Sequence, residues 1–189
     1  MAVISWNAKL TNGNGANGDF GTGGNWLGGA VPDSGDDASI TLPGTYTVKS
    51  SASGTVTING LQLSSGATLS IAGFDETFNI TNGSDTGISG QVNGHVLVGS
   101  GDILNITGNW SGTGSVYALT DGTVNVGQLR GRVLTGIKIT DPSGGFSATG
   151  THASGAPGGI LNLYGDTISQ GPGASFGGRV GSRRGSGFE

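Results

Sequence analysis

The chain has 189 residues, of which 41 are glycine and none is cysteine, and its formal net charge is −4. Proline is not enriched and no Gly-X-Y period is present, which excludes collagen, while the apolar content and small net charge exclude a disordered chain. The absence of cysteine excludes disulfides and thiolate metal sites. Lysine and glutamate are rare whereas threonine, valine and isoleucine are prominent, so the composition predicts an all-β protein.

Residues 1–37 are predicted to form an N-terminal entry segment. A short strand candidate covers residues 3–6, and the Asn-Gly pairs of residues 12–18 are typical of tight turns. No basic stretch followed by an apolar core is visible here, so we expect no secretory signal. No apolar run in the chain approaches membrane-spanning length, so we expect no membrane partner.

Residues 38–142 are predicted to form a β-rich body. Apolar residues recur two positions apart, the period of a strand, and glycine, asparagine, aspartate or serine separates most pairs. Short strands with frequent glycine corners favour a β-solenoid, in which stacked coils bury an inner column. A sandwich or jelly roll remains the alternative because no fixed period is apparent. The pairs include Tyr46/Val48, Val56/Ile58, Leu69/Ile71, Phe78/Ile80, Val96/Val98, Leu104/Ile106 and Val124/Val126.

Residues 143–189 are predicted to be an extended, glycine-rich C-terminal arm. Residues 122–189 carry six basic and three acidic side chains, whereas residues 1–121 carry two basic and nine acidic ones. Such asymmetry suits contact between identical subunits. We therefore expect the arm to contact a neighbouring subunit through Arg179, Arg183 and Arg184. A sequence pI of about 4.9 argues against nucleic acid as the partner.

A group of short motifs spans the entry segment and the start of the body: Gly24-Asn25-Trp26, Val31-Pro32, Asp36-Asp37-Ala38-Ser39-Ile40 and Gly44-Thr45-Tyr46-Thr47-Val48. This stretch resembles the entry motif of bacterial secreted or surface β-helix adhesins. The resemblance covers about residues 20–75 and implies a β-helical fold and a surface location. Those adhesins usually carry a signal peptide or C-terminal calcium-binding nonapeptide repeats, which this sequence lacks. That departure favours a protein released by lysis, such as a phage decoration or fibre protein.

Candidate catalytic, cofactor and metal residues are not apparent in the sequence. His95 and His152 are isolated and are interpreted as structural or solvent-facing. The closest acidic group, Asp33, Asp36 and Asp37, lacks a complete calcium-loop pattern and is interpreted as capping turns and strands. We therefore predict no catalytic site, no cofactor and no metal.

The sequence thus predicts a non-enzymatic structural protein that forms homo-oligomers or binds other structural subunits, with surface glycans open as a further partner. Its expected location is the virion or the extracellular cell surface. A phage capsid decoration or fibre component is the preferred hypothesis. A secreted adhesin or extracellular matrix or filament protein is the first alternative. A polysaccharide-degrading β-helix enzyme, which would use clustered carboxylates in a cleft, is the second.

Overall fold

The computed structural model describes residues 2–81, 91–106, 110–111, 113–119, 122–126, 133–135, 138–140, 160–163 and 167–168. Within these ranges the chain forms short strands and one 3₁₀ helix, Gly23–Asn25. The strands are β1 Ala2–Ser5, β2 Gly18–Asp19, β3 Asp36–Ile40, β4 Tyr46–Ser50, β5 Thr55–Ile58, β6 Gly60–Leu63, β7 Ala67–Ile71, β8 Thr77–Ile80, β9 Gln91–Val92, β10 His95–Val98, β11 Ile103–Ile106, β12 Trp110–Ser111, β13 Ser115–Ala118, β14 Thr123–Val126, β15 Val133–Thr135, β16 Lys138–Thr140, β17 Ile160–Leu163 and β18 Thr167–Ile168.

These strands form three parallel sheets that together make a β-solenoid. Sheet I has the order β1-β3-β6-β9-β12-β15-β18, sheet II the order β16-β13-β10-β7-β4-β2, and sheet III the order β17-β14-β11-β8-β5. From β3 onward the chain visits sheets I, II and III in turn, and each strand pairs in parallel with its counterpart one coil later. The predicted all-β solenoid is therefore confirmed, and the sandwich alternative is wrong.

The coils differ in length, which explains why the sequence shows no fixed period. On sheet III, Asn79 contacts Thr57, 22 residues earlier, and Asn105 contacts Asn79, 26 residues earlier. Asn125 contacts Asn105 after only 20 residues. Strand register is preserved while the number of residues between the paired strands varies.

The core is a set of apolar columns inside the coils. In sheet II, Val48, Leu69, Val96 and Val116 lie in register on consecutive strands, and each is fully buried. Buried and less buried side chains alternate along β4, β8, β10 and β11, as the two-residue period predicts. Each buried valine or leucine contributes about 1.5–3 kcal/mol relative to exposure, so these columns drive the stacking of the coils.

An aromatic cap closes the N-terminal end of the core. Trp6 and Trp26 pack edge to face with ring centroids 5.0 Å apart, and Phe20 lies 5.0 Å from Trp26. Phe20 also contacts Phe78 in the solenoid at 5.4 Å. Both indoles donate hydrogen bonds to main-chain oxygens, Trp6 to Ala16 at 3.2 Å and Trp26 to Phe20 at 2.7 Å. Trp26, from the Asn-Trp pair noted in the sequence, therefore belongs to this cap.

Strands also lie outside the predicted body. β1 and β2, from the entry segment, pair with β3 and β4, so they continue sheets I and II. β17 and β18, from the predicted arm, pair with β14 and β15. The rest of residues 143–189 lies outside the described residues, and the division of the chain at residues 37 and 142 remains a prediction.

Replacing Trp26 with alanine is expected to lower the free energy of unfolding by about 3–5 kcal/mol, because a buried indole and its hydrogen bond are lost. Leu27→Ala is the matched control, because Leu27 follows Trp26 in the sequence and its side chain is 64 % exposed. Chemical denaturation followed by circular dichroism gives the free energy of unfolding of both variants. Equal stability of the two variants would contradict the role assigned to the cap.

Candidate functional site

A ladder of amide side chains follows the outer face of sheet III. Asn79 donates to the Thr57 hydroxyl at 3.1 Å, Asn105 donates to the Asn79 side-chain oxygen at 2.7 Å, and Asn125 donates to that of Asn105 at 2.6 Å. We call these four residues the amide ladder. By backbone register, Asn162 of β17 occupies the next position. Parallel in-register stacking brings identical side chains about 4.8 Å apart, the spacing at which such ladders form.

A second polar ladder follows the outer face of sheet I. Ser39 donates to the Gln62 side-chain oxygen at 3.1 Å, and Gln62 contacts Gln91 at 3.4 Å. Polar side chains on two of the three outer faces therefore bond along the solenoid axis. This arrangement links consecutive coils by hydrogen bonds. It does not bring several polar groups together at one point of the surface.

Three aspartates lie just before or at the start of β3, and each of them accepts a hydrogen bond. Asp33 accepts the Gly35 N–H at 2.8 Å in a tight turn, and Asp36 accepts the Ala2 N–H at 3.2 Å. Asp37 is buried and accepts a 2.6 Å hydrogen bond from Asn59. These contacts are those of turn and strand capping. Across the described residues, no group of three or more histidine, cysteine, aspartate or glutamate side chains is arranged to hold a metal ion.

Two carboxylates are stacked inside the corner between sheets II and III. Glu76 is fully buried, bonds the Ser50 hydroxyl and accepts the Gly73 N–H at 3.0 Å. Asp102, one coil later, is 1 % exposed and accepts the Glu76 N–H at 2.9 Å through Oδ1. Its Oδ2 is buried without a hydrogen-bond partner. The sequence did not indicate this stack, because Glu76 and Asp102 lie 26 residues apart in coils of unequal length.

Burial raises the pKa of both carboxyl groups above their ordinary values. For Glu76 the nearby negative charges of Asp102 and Asp19 add to this effect, and the Ser50 and Gly73 hydrogen bonds oppose it. For Asp102 the charge of Asp75 raises the pKa further, and the Glu76 N–H opposes it. Neither carboxylate faces solvent, so the stack has the properties of a buried structural element that favours protonation.

The outer face of sheet II carries His95. Its Nδ1 lies 2.6 Å from the Ser115 hydroxyl, and its ring centroid lies 5.8 Å from that of Tyr117. His95 itself is exposed, in agreement with the solvent-facing interpretation. Within the described part of the chain, no carboxylate is hydrogen-bonded to His95.

The predicted subunit-contact residues Arg179, Arg183 and Arg184 lie outside the described residues, as does His152. Their roles stay predictions. Within the described residues, no helix has the length and apolar character that crossing a membrane would require.

The fold and these contacts define a capped, three-sheet parallel β-solenoid with polar ladders on its outer faces. Comparisons with protein-family models, with curated proteins and with solved structures each returned no match.

Glu76→Gln is expected to stabilise the protein at neutral pH. The pKa of Glu76 is higher in the folded chain than its ordinary value of 4.5, so the folded state binds the proton more tightly. The wild type therefore loses stability as the pH rises from the ordinary pKa through the raised one. Glutamine mimics the protonated acid and does not titrate.

Melting temperatures measured from pH 4 to pH 8 test this expectation. The melting temperature of Glu76→Gln should exceed that of the wild type by several degrees at pH 8, and this difference should become smaller toward pH 4. Asp33→Asn, which removes a carboxylate at an exposed position, is the control for the loss of a negative charge. A gain for Glu76→Gln that is the same at every pH would exclude titration as its cause.

Asn105→Ala should remove two bonds of the amide ladder and lower the free energy of unfolding by about 1–3 kcal/mol. Thr123→Ala serves as the control, because this side chain lies on the same sheet outside the ladder. Urea unfolding of both variants gives the comparison. A loss no larger than that of the control would show that the ladder contributes no net stability.

Proposed function

We propose that this protein is a non-enzymatic structural protein that builds or decorates an assembly outside the cell. The observation that carries the proposal is the pair of polar ladders. On two outer faces, side chains bond to their counterparts in the next coil, so they strengthen a rod along its axis. A stacked solenoid of this kind suits a stabilising or display role.

The arrangement of carboxylates supports a non-enzymatic role. Polysaccharide-cleaving β-helices need a pair of carboxyl groups that both reach a substrate in a cleft. Here Glu76 and Asp102 are 0 % and 1 % exposed, and Asp37 is bonded to Asn59. A glycan at the surface does not reach Glu76 or Asp102 without unfolding the corner.

We place the protein first in a virion, as a capsid decoration or fibre component, which extends the expectation drawn from the sequence. The rival setting is a bacterial surface adhesin or matrix protein. One specific observation favours the rival: the Asn-Trp pair on which the adhesin resemblance rests is built into the solenoid. Asn25 donates to the Asp19 carbonyl at 2.9 Å, and Trp26 packs in the cap. In this chain the motif therefore lies at the start of the solenoid, which is the position that the resemblance to the adhesin entry motif implies.

Immunogold electron microscopy with an antibody against the folded chain tests the proposal in the source organism. Label on released virus particles supports the virion role, and label on intact cell surfaces transfers the proposal to the adhesin setting. Label confined to the cytoplasm contradicts both.

Incubation of the purified protein with a panel of polysaccharides is the companion assay, and we expect no cleavage. Cleavage that is lost in Asp102→Asn would contradict the non-enzymatic role.

A further inference from the structure

The outer face of sheet III carries two parallel columns of side chains. On β8, β11 and β14, Phe78, Leu104 and Val124 are fully buried, and the residues on either side of each are only partly buried, so they point outward. One outward column is the amide ladder. The other bears methyl groups, and we call it the methyl column. By register it consists of Thr55, Thr77, Ile103 and Thr123.

The two columns run along the solenoid axis with a regular spacing. Neighbouring members of a column are about 4.8 Å apart, the distance between paired strands, and the columns are about 6.6 Å apart, two residues along a strand. On β8, β11 and β14, each strand therefore offers one methyl-bearing side chain and one amide, although the coils differ in length. A ligand that matches this face is linear and repeats once per coil.

The amide ladder retains hydrogen-bonding capacity that a ligand can use. An asparagine amide has two N–H donors and an oxygen with two lone pairs. Asn79 uses one N–H to bond Thr57 and one lone pair to accept from Asn105. Asn105 likewise donates once and accepts once, from Asn125. Among the described residues no other group bonds the amides of Asn79 and Asn105, so each keeps one N–H and one lone pair.

The side chains of both columns are held in place before any ligand binds. Threonine and isoleucine are β-branched, so few side-chain rotamers are open to the methyl column. The hydrogen bonds of 2.7 Å and 2.6 Å along the ladder hold the amides of Asn79 and Asn105. Side-chain ladders also favour a sheet with little twist. Binding to this face therefore costs little side-chain conformational entropy.

The absence of charge on this face restricts the class of ligand. None of the described side chains that point outward from β5, β8, β11 and β14 is charged. The outer face of sheet II, by comparison, carries exposed Lys49 and His95. Nucleic acid or an acidic glycan would find no opposite charge on the methyl column or the amide ladder. The face therefore fits an uncharged ligand with C–H groups beside hydroxyl groups.

An extended β-linked polysaccharide has this combination of groups. Its sugar rings follow one another in a nearly straight chain, with C–H groups on the ring faces and hydroxyl groups at the ring edges. One ring is close in length to the spacing between coils. Along the solenoid axis, ring faces would cover the methyl column while hydroxyl groups bond the amides of Asn79 and Asn105. We propose that the outer face of sheet III binds an uncharged β-linked polysaccharide along the solenoid axis, with one ring on each coil.

This inference names a ligand for the proposed extracellular role and rests on that role, because such polymers lie outside the cell. A single ring makes few contacts. Binding of a short oligosaccharide is therefore expected to be weak and to strengthen with each ring that reaches another coil. Because Glu76 and Asp102 are buried, we expect the chain to be bound without being cleaved.

NMR titration of the full-length protein with cellobiose, cellohexaose and chitohexaose tests the proposal. The side-chain amide signals of Asn79 and Asn105 and the methyl signals of Ile103 should shift. At least one of the two hexaoses should bind about tenfold or more tightly than cellobiose, because it reaches several coils. Maltohexaose is the matched control ligand, since it has as many glucose rings as cellohexaose but α-linkages that coil the chain. It should bind no more tightly than cellobiose.

Ile103→Lys is the decisive variant, because it places a long charged side chain in the middle of the methyl column. Ile103 points outward and is only partly buried, so this variant should stay folded. Thr68→Lys is the matched control, at a partly buried outward position of sheet II. Hexaose affinity should fall about tenfold or more in Ile103→Lys and stay unchanged in Thr68→Lys. If melting curves show that Ile103→Lys is unfolded, Thr77→Lys takes its place.

Several results would overturn the proposal. The first is that neither β-linked hexaose binds, and the second is that maltohexaose binds as tightly as they do. The third is unchanged binding in the folded lysine variant of the methyl column. The fourth comes from light scattering: a mass that rises with concentration in the wild type but not in Ile103→Lys, without hexaose binding, would assign the face to a second copy. None of these results bears on the immunogold test, so the structural role and its ligand fail separately.

Discussion

Parallel, in-register stacking of coils is the constraint on which the other features of this structure depend. Once backbone ladders place each strand on its counterpart one coil earlier, a side chain meets the same kind of position above and below it. Apolar positions then become buried columns such as Val48, Leu69, Val96 and Val116. Polar positions become ladders, and the amide groups of Asn79 and Asn105 satisfy each other. The same geometry therefore supplies both the core and the outer faces.

Stacking also creates costs that the chain meets in specific ways. An end coil exposes core and backbone, and the aromatic cap covers that end over sheets I and II. The corners bring polar side chains inside, where Glu76 receives the Ser50 and Gly73 bonds but the Asp102 Oδ2 has no partner. An unpaired buried carboxyl oxygen is unfavourable when the group is ionised. The stability of the fold therefore depends on whether the carboxyl groups in this corner are protonated.

The functional proposals follow from where hydrogen-bonding groups are satisfied and where they are not. On the ladders they are satisfied along the axis, which suits a rod. On the outer face of sheet III, the amides of Asn79 and Asn105 also keep an N–H and a lone pair that no described group uses. The proposed structural role therefore rests on the stacking geometry.

The sequence alone determined the fold class and much of the core, because the two-residue spacing of pairs such as Leu104 and Ile106 reports inward-facing strand positions directly. It also marked Asn25 and Trp26 as part of a recognisable entry motif. It did not reveal the amide ladder, the methyl column or the Glu76–Asp102 stack. Each of these depends on which residues of different coils lie in register, and corners of variable length remove any fixed period from which that register could be read. Only the tertiary structure decided them, since contacts across coils arise from backbone pairing and not from local pattern.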